Sequence, residues 1–370
     1  MISCLFTRAK DVLYKLLRIA IGADDDLTFP EDVSLTEVLD LSELAGVNSF
    51  AVSGLQRMMD RGFVMSPAQK VEKQRLITCI GLSMMMEQKS SLQWKAAQQL
   101  VELYAQDGIT TVGLKGITVA QWYPNPMLRD SCDFDCFLLK KGSDGKVRFA
   151  YEDGNQVIET KGVHVDKNIY VHSVFEYKEL VVENHHYLAA VKLSKRHRQM
   201  DAFLRKLLMD EPLHPVMDSN LMMGSPMFNA VFLTHHAHRH FLNEYMPIKL
   251  LMDWALFIKN NQSLDWHHYQ EYADEFGMLR FAQSMIRLAG KLMGVSAPID
   301  LPEDAEADEL LENSLWEFPE APIGKRTLFS RRLGIIGKLM HSRKKYKVFY
   351  DSSSLAMIVS YVKGYFFGKE

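Results

Sequence analysis

Cysteine is scarce in this chain, with four in 370 residues at positions 4, 79, 132 and 136. Their spacing fits neither a disulfide framework nor a zinc site, so reduced thiols in a cytoplasmic protein are expected. Neither sign of charge dominates, and a net charge of −3 gives no bulk attraction to nucleic acid or to an anionic membrane. Long apolar runs are missing too. Arg8, Lys10, Asp11, Lys15 and Arg18 interrupt the stretch from Met1 to Ile21. An amphipathic helix carrying Leu5, Val12, Leu16 and Ile19 is expected there, not a leader peptide. The run from Leu355 to Phe367 is too short to span a bilayer and contains Lys363. What the chain does have is core material, with 47% hydrophobic residues in a length that suits two or three packed units.

Periodicity divides that material into three stretches. Over residues 1–107 the apolar positions recur at helical spacing: Leu35, Val38 and Leu39, then Leu76, Ile80, Met84 and Met85, then Leu92, Ala96, Leu100 and Leu103. Ser34 with Glu37 reads as a capping box, and the Met84–Met86 run as soft core filling. Over residues 108–199 the period shifts toward two. Strands are expected at Ile109–Leu114, Asp135–Leu139, Ile169–His172 and Glu179–Glu183. A hairpin is expected from Val147–Tyr151 across Asp153-Gly154 into Gln156–Ile158. Over residues 200–370 helices return, at Phe228–His240, Ile248–Lys259, Trp266–Phe276 and Leu279–Met293. An acidic segment, Glu303 to Glu320, precedes a basic one from Lys325 to Lys347, and the two can pair. The fold class expected is α+β, a small mixed sheet flanked by N-terminal and C-terminal helical regions.

Chemistry concentrates in the middle stretch. Asp133 and Asp135 are two apart on an expected strand, so both side chains leave the same face about 6–7 Å apart. Such a pair alone is more often a solvated strand edge than a site. Its neighbours change the balance. Lys115-Gly116 follows the first apolar run, where a turn can offer backbone N–H groups and an ammonium to phosphate. Arg129 can neutralise a further phosphate charge, and Glu183 supplies a third carboxylate from a later strand. Three acids on neighbouring strands can hold two Mg²⁺ ions for in-line displacement at phosphorus, a role Mn²⁺ can also fill.

Leu114-Lys115-Gly116, Tyr123-Pro124-Asn125-Pro126, Arg129 and Asp133-Phe134-Asp135 resemble the opening motif of a nucleotidyltransferase family. That family is a poorly characterised bacterial branch of the polymerase-β-like superfamily. The resemblance extends through Val182 to Tyr187, His235 to Phe241 and Leu250 to Trp254, and so covers roughly residues 113–266. It implies a small nucleotidyltransferase core, catalytic Asp133, Asp135 and Glu183 holding Mg²⁺, and transfer of a nucleoside monophosphate from an NTP, ATP being the first expectation. The acceptor is left open. Lys115-Gly116 departs from the Gly-Ser or Gly-Gly turn usual in the superfamily, and the third acid is Glu rather than Asp.

The histidines are read beside this. His185 shares a strand face with Glu183 and can orient a ligand or take a proton, with His172 a weaker candidate one strand earlier. His236 and His240 sit four apart on an expected helix, as an active-site wall contacting phosphate; zinc there is the minor reading. Asp253, in an apolar helical stretch, is expected to pair with a histidine or arginine. A polynucleotide partner is not expected, for want of a clear basic footprint. A relative that binds a nucleotide or a partner without transferring anything, or one that transfers AMP to a protein, stays open.

Overall fold

The run Phe134–Lys141 sets the architecture. Its even positions Phe134, Cys136 and Leu138 are buried in one apolar cluster, while Phe137 and Leu139 are buried in another. A strand with both faces covered needs a layer on each side, and the computed structural model supplies them. It describes residues 2–318 and 342–350, apart from 25, 27, 31, 68, 70 and 244. The seven strands are β1 (Ile109–Gly113), β2 (Phe134–Lys141), β3 (Val147–Phe149), β4 (His172–Tyr177), β5 (Leu180–His185), β6 (His214–Pro215) and β7 (Met222–Met223). They form one mixed sheet in the order β4-β5-β2-β1-β7-β6, with β3 paired to β2. The protein is α+β, with helices on both sides of this sheet.

On one face lie α4 (Lys73–Gln106), through Ala96, Ala97, Leu100, Val101 and Tyr104, and α5 (Tyr151–Thr160), through Ile158. The other face turns toward the larger core. That core joins α1 (Ile2–Ala20), α2 (Leu35–Leu44) and α3 (Asn48–Asp60) to α6 (Lys195–Asp210), α7 (Pro226–Asn243) and α8 (Ile248–Asn260). It continues into α9 (Trp266–Glu275), α10 (Leu279–Met293), α11 (Ala305–Ser314) and α12 (Arg343–Tyr350). Helices thus run close to the bounds their periodicity sets. Tyr177↔Leu180 closes a hairpin whose two loop residues, Lys178 and Glu179, both have positive φ, 51° and 65°. That conformation matches the right-handed twist of the flanking strands.

Three expectations are corrected. The Asp153-Gly154 turn is instead the first turn of α5. Glu152 and Asp153 favour a helix N-terminus. Gly154 lets the helix press on β2, since a Cβ there would lie 2.0 Å from a Leu138 methyl. Ser34 stands at the N-cap of α2 but makes no side-chain capping bond. The methionine run is not core filling: Met84 and Met85 are 65% and 66% exposed, and Ile77 and Leu92 are exposed with them. At 34 residues α4 is about 51 Å long, and only its C-terminal half lies under the sheet.

The acidic segment pairs mainly with α10, through Arg280–Asp304, Arg287–Asp308 and Lys291–Glu312, while Lys345 reaches Glu317. Most of the basic segment and the run from Leu355 to Phe367 lie outside the described residues. Among the described residues no helix is long and apolar enough to cross a membrane.

Candidate active site

Strand register assembles the site. β2 and β5 pair in parallel with Asp135 opposite Glu183, and β4 pairs antiparallel with His172 opposite His185. Because facing partners share a side of the sheet, Asp135, Glu183, His185 and His172 all project from the face that turns toward α7. Asp133 lies two residues before Asp135, just ahead of β2, and joins them. Carboxylate oxygens of Asp133, Asp135 and Glu183 lie within 4.8 Å of one another. On the opposite face, Asn184 donates to the Tyr151 carbonyl and to Asn155 Oδ1, and Ser173 donates to the same Asn155 oxygen. This buried network ties β4 and β5 to α5, so the acids stand on a braced strand.

Lys115 arrives from the other side. The chain leaves β1, Leu114 N–H donates to the Asp135 carbonyl at 3.1 Å, and the backbone then curls tightly. Gly116 has φ +58°, and a Cβ there would come within 2.5 Å of Ser131 Oγ. Only glycine fits both the left-handed backbone and the close approach. The Ser131 hydroxyl is spent on the Asp133 carbonyl at 2.6 Å, which braces the acid loop internally beside Gly116. Lys115 Nζ then lies 2.6 Å from Asp135 Oδ2 and 3.5 Å from Asp133 Oδ1.

The titrations separate accordingly. Burial would raise Asp135, but the Lys115 ammonium and the hydrogen bond from His185 hold it far below the usual carboxylate range. Burial and the charge of Asp135 push Asp133 up. Burial lowers His172. It would lower His185 as well, yet hydrogen bonds to Asp135 and Glu183 hold that imidazole at about 9. His185 Nε2 meets Asp135 Oδ1 at 3.0 Å, and its Nδ1 faces the Tyr187 carbonyl at 3.2 Å.

Arg129 lies at the larger cavity and is paired within the protein. Its Nε and Nη2 bind the two Asp253 oxygens at 3.0 and 2.7 Å, and Nη1 donates to the Asp130 carbonyl. Tyr123 donates to Asp253 Oδ1 at 2.7 Å. Burial would depress the guanidinium, and Asp253 more than offsets that. Asp253 thus has the arginine partner its apolar surroundings require, and the Tyr123 and Arg129 motif residues pin their loop to α8.

Two cavities meet at Lys115 and His236. One, of about 40 Å³, is bounded by Asp135, His172, Glu183, His185, Phe232 and His235. The other, of about 580 Å³, is bounded by Lys115, Gly116, Arg129, Asp133, His236 and His240, with Glu43 to Gly46 of the α2 end and Lys249 and Trp254 of α8. His236 and His240 rings pack edge to face at 4.6 Å on its wall. Burial, and then the charge of Lys115, hold His236 well below the ordinary histidine value. Among the described residues, the groups able to converge on a metal are the three acids and the set His172, Glu183 and His185; the α7 histidines form no such group. Glu43 and Ser131 carry no sequence signal, because only tertiary packing brings them here.

The donor set suits a hard divalent cation. Three carboxylates share one lysine, and oxygen ligands are what Mg²⁺ takes. No curated protein and no solved structure matches the chain. A family described as "Uncharacterised nucleotidyltransferase" matches residues 37–294, a span that takes in most of α2, the whole sheet and the helices through α10. With the acids, the lysine turn and the sheet register all inside that span, the chain belongs to this nucleotidyltransferase family.

Proposed function

We propose that this chain is a Mg²⁺-dependent nucleotidyltransferase that moves a nucleoside monophosphate from an NTP, ATP first among them, to a hydroxyl or phosphate acceptor. One observation supports this most: the β2–β5 register that sets Asp135 beside Glu183, with Asp133 and Lys115 on the same face. Held by Asp133, Asp135 and Glu183, two divalent ions would activate the attacking hydroxyl and steady the leaving pyrophosphate.

The chain's own residues do the rest. Lys115 and the N–H groups of the Gly116 turn bind triphosphate oxygens at the mouth of the larger cavity. Arg129, clamped on Asp253, keeps that loop in place. His185 fixes the Asp135 carboxylate from the side away from Lys115. His236 and His240 line the nucleotide's path, and the ends of α2 and α8 shape the acceptor pocket. A cavity of about 580 Å³ is of the size that encloses a small molecule. Free Cys79, Cys132 and Cys136 suit a reducing, cytoplasmic compartment.

Calorimetry with each NTP, with and without Mg²⁺, tests this reading. Metal-dependent affinity accompanied by pyrophosphate release is expected. Affinity without release would identify a nucleotide-binding relative that transfers nothing, and the absence of affinity for every NTP would reject the reading.

A further inference from the structure

The small cavity carries a donor set that the three-acid site does not need. His172 and His185 stand opposite each other across β4 and β5, ring centroids 5.1 Å apart, with Glu183 between their ring nitrogens. His172 Nδ1 lies 3.5 Å from Glu183 Oε2, and His185 Nε2 lies 3.6 Å from the same oxygen. All three ligand atoms fall within 4.8 Å of one another. Asp135 Oδ1 lies beside them, 3.0 Å from His185 Nε2.

These separations are the edges of a coordination polyhedron. With metal–ligand bonds of about 2.1 Å, neighbouring ligand atoms lie about 3.4 Å apart in a tetrahedron and about 3.0 Å apart in an octahedron. A second feature points the same way. His185 Nδ1 faces the Tyr187 carbonyl, which can only accept, so that nitrogen keeps a proton, and a cation that displaces the other proton from Nε2 meets a lone pair there. A backbone carbonyl in that place is how ligating histidines are held in one tautomer. On the facing strand, His172 Nδ1 is buried and makes no hydrogen bond among the described residues. Local charge permits a dication, since Asp133, Asp135 and Glu183 face Lys115, with Arg239 also on the cavity wall.

We propose that His172, His185 and Glu183 form a cation position of their own, selective for a borderline transition metal such as Co²⁺ or Zn²⁺. It shares Glu183 with the oxygen-only position of Asp133 and Asp135. Imidazole nitrogens suit these ions and contribute little to Mg²⁺. This deepens the two-metal reading above and rests on the same acids, but it concerns which ion binds and not what is transferred.

The test is Co²⁺ binding to the full-length protein, read by X-ray absorption at the cobalt edge and by calorimetry, with Co²⁺ and Mg²⁺ each titrated alone. Two imidazoles on one bound Co²⁺ are expected in the wild type. His172→Ala should weaken Co²⁺ at that position by at least about tenfold, the lower end of what even an outer-sphere partner costs. Its Mg²⁺ affinity should change by less than about twofold, because Mg²⁺ draws on oxygen ligands. Oxygen-only coordination of Co²⁺ in the wild type overturns the proposal, and needs no variant to be seen. Equal weakening of Co²⁺ and Mg²⁺ in His172→Ala also overturns it, since that marks a structural histidine. Failure to turn over any NTP, with the imidazole signature intact, would reject the proposed function and leave this site standing.

Discussion

Arg129 shows most directly how a residue's role follows from its partners. Its guanidinium is 8% exposed and forms a bidentate pair with Asp253. Removing one member of such a pair strands the other charge in the core, which costs about 3–5 kcal/mol. Arg129→Ala should lose stability on that scale in denaturant titrations, and Arg129→Met with Asp253→Leu should recover much of it. A variant that keeps its stability and loses only NTP affinity would show that Arg129 binds phosphate after all. His185 gives a second test at this scale. Its folded-state value of about 9 exceeds the ordinary 6.5, so protonation favours the fold. That contribution is complete below about pH 6.5 and is lost as pH rises through about 9. Chelator-treated protein should melt at progressively lower temperature across this window, and His185→Gln should flatten the slope. A slope unchanged by that substitution would remove His185 from the account.

Elements carry the geometry that single residues cannot. The turn that follows β1 works because Gly116 accepts φ +58° and leaves room for Ser131. Gly116→Ala should cost about 1–2 kcal/mol from the left-handed backbone alone. It should also loosen NTP affinity by displacing Lys115, measurable by melting and calorimetry on one preparation. Unaltered NTP affinity would mean that this turn does not grip the triphosphate. Much at this scale was legible from sequence. The i, i+2 rule put Asp133 with Asp135 and Glu183 with His185, and the 3.6-residue period found α7 through α10. The pairing that unites those two couples was not legible, because β2 and β5 are about forty residues apart and nothing local encodes their register. Asp153-Gly154 misled for a related reason: the dipeptide has the chemistry of a turn, and packing against Leu138 decides for a helix. The exposed apolar stripe of α4 has helical spacing indistinguishable from a buried one.

At the scale of the molecule, the sheet draws strands from beyond residues 108–199. β7, near residue 222, pairs with β1, and α7 covers the face that bears the acids. The larger cavity needs the end of α2 as well as α8. Residues 108–199 expressed alone should therefore fail to melt cooperatively, since the face of β2 with Phe137 and Leu139 would be uncovered; a cooperative melt of that fragment would contradict this. The two-residue strands β6 and β7 escaped the sequence reading because two residues show no period, and they are what joins the last helical stretch to the sheet.

The central claim is that Asp135, wholly buried between Lys115 and His185, is the pivot of a metal-dependent transfer site. The most direct measurement is pyrophosphate release from each NTP in Mg²⁺, by the wild-type chain and by Asp135→Asn shown to melt cooperatively. The account predicts release with at least one NTP, and a fall of about 10²–10³-fold or more in the variant, the scale of losing one preorganised electrostatic partner. Undiminished release by a folded Asp135→Asn would contradict it.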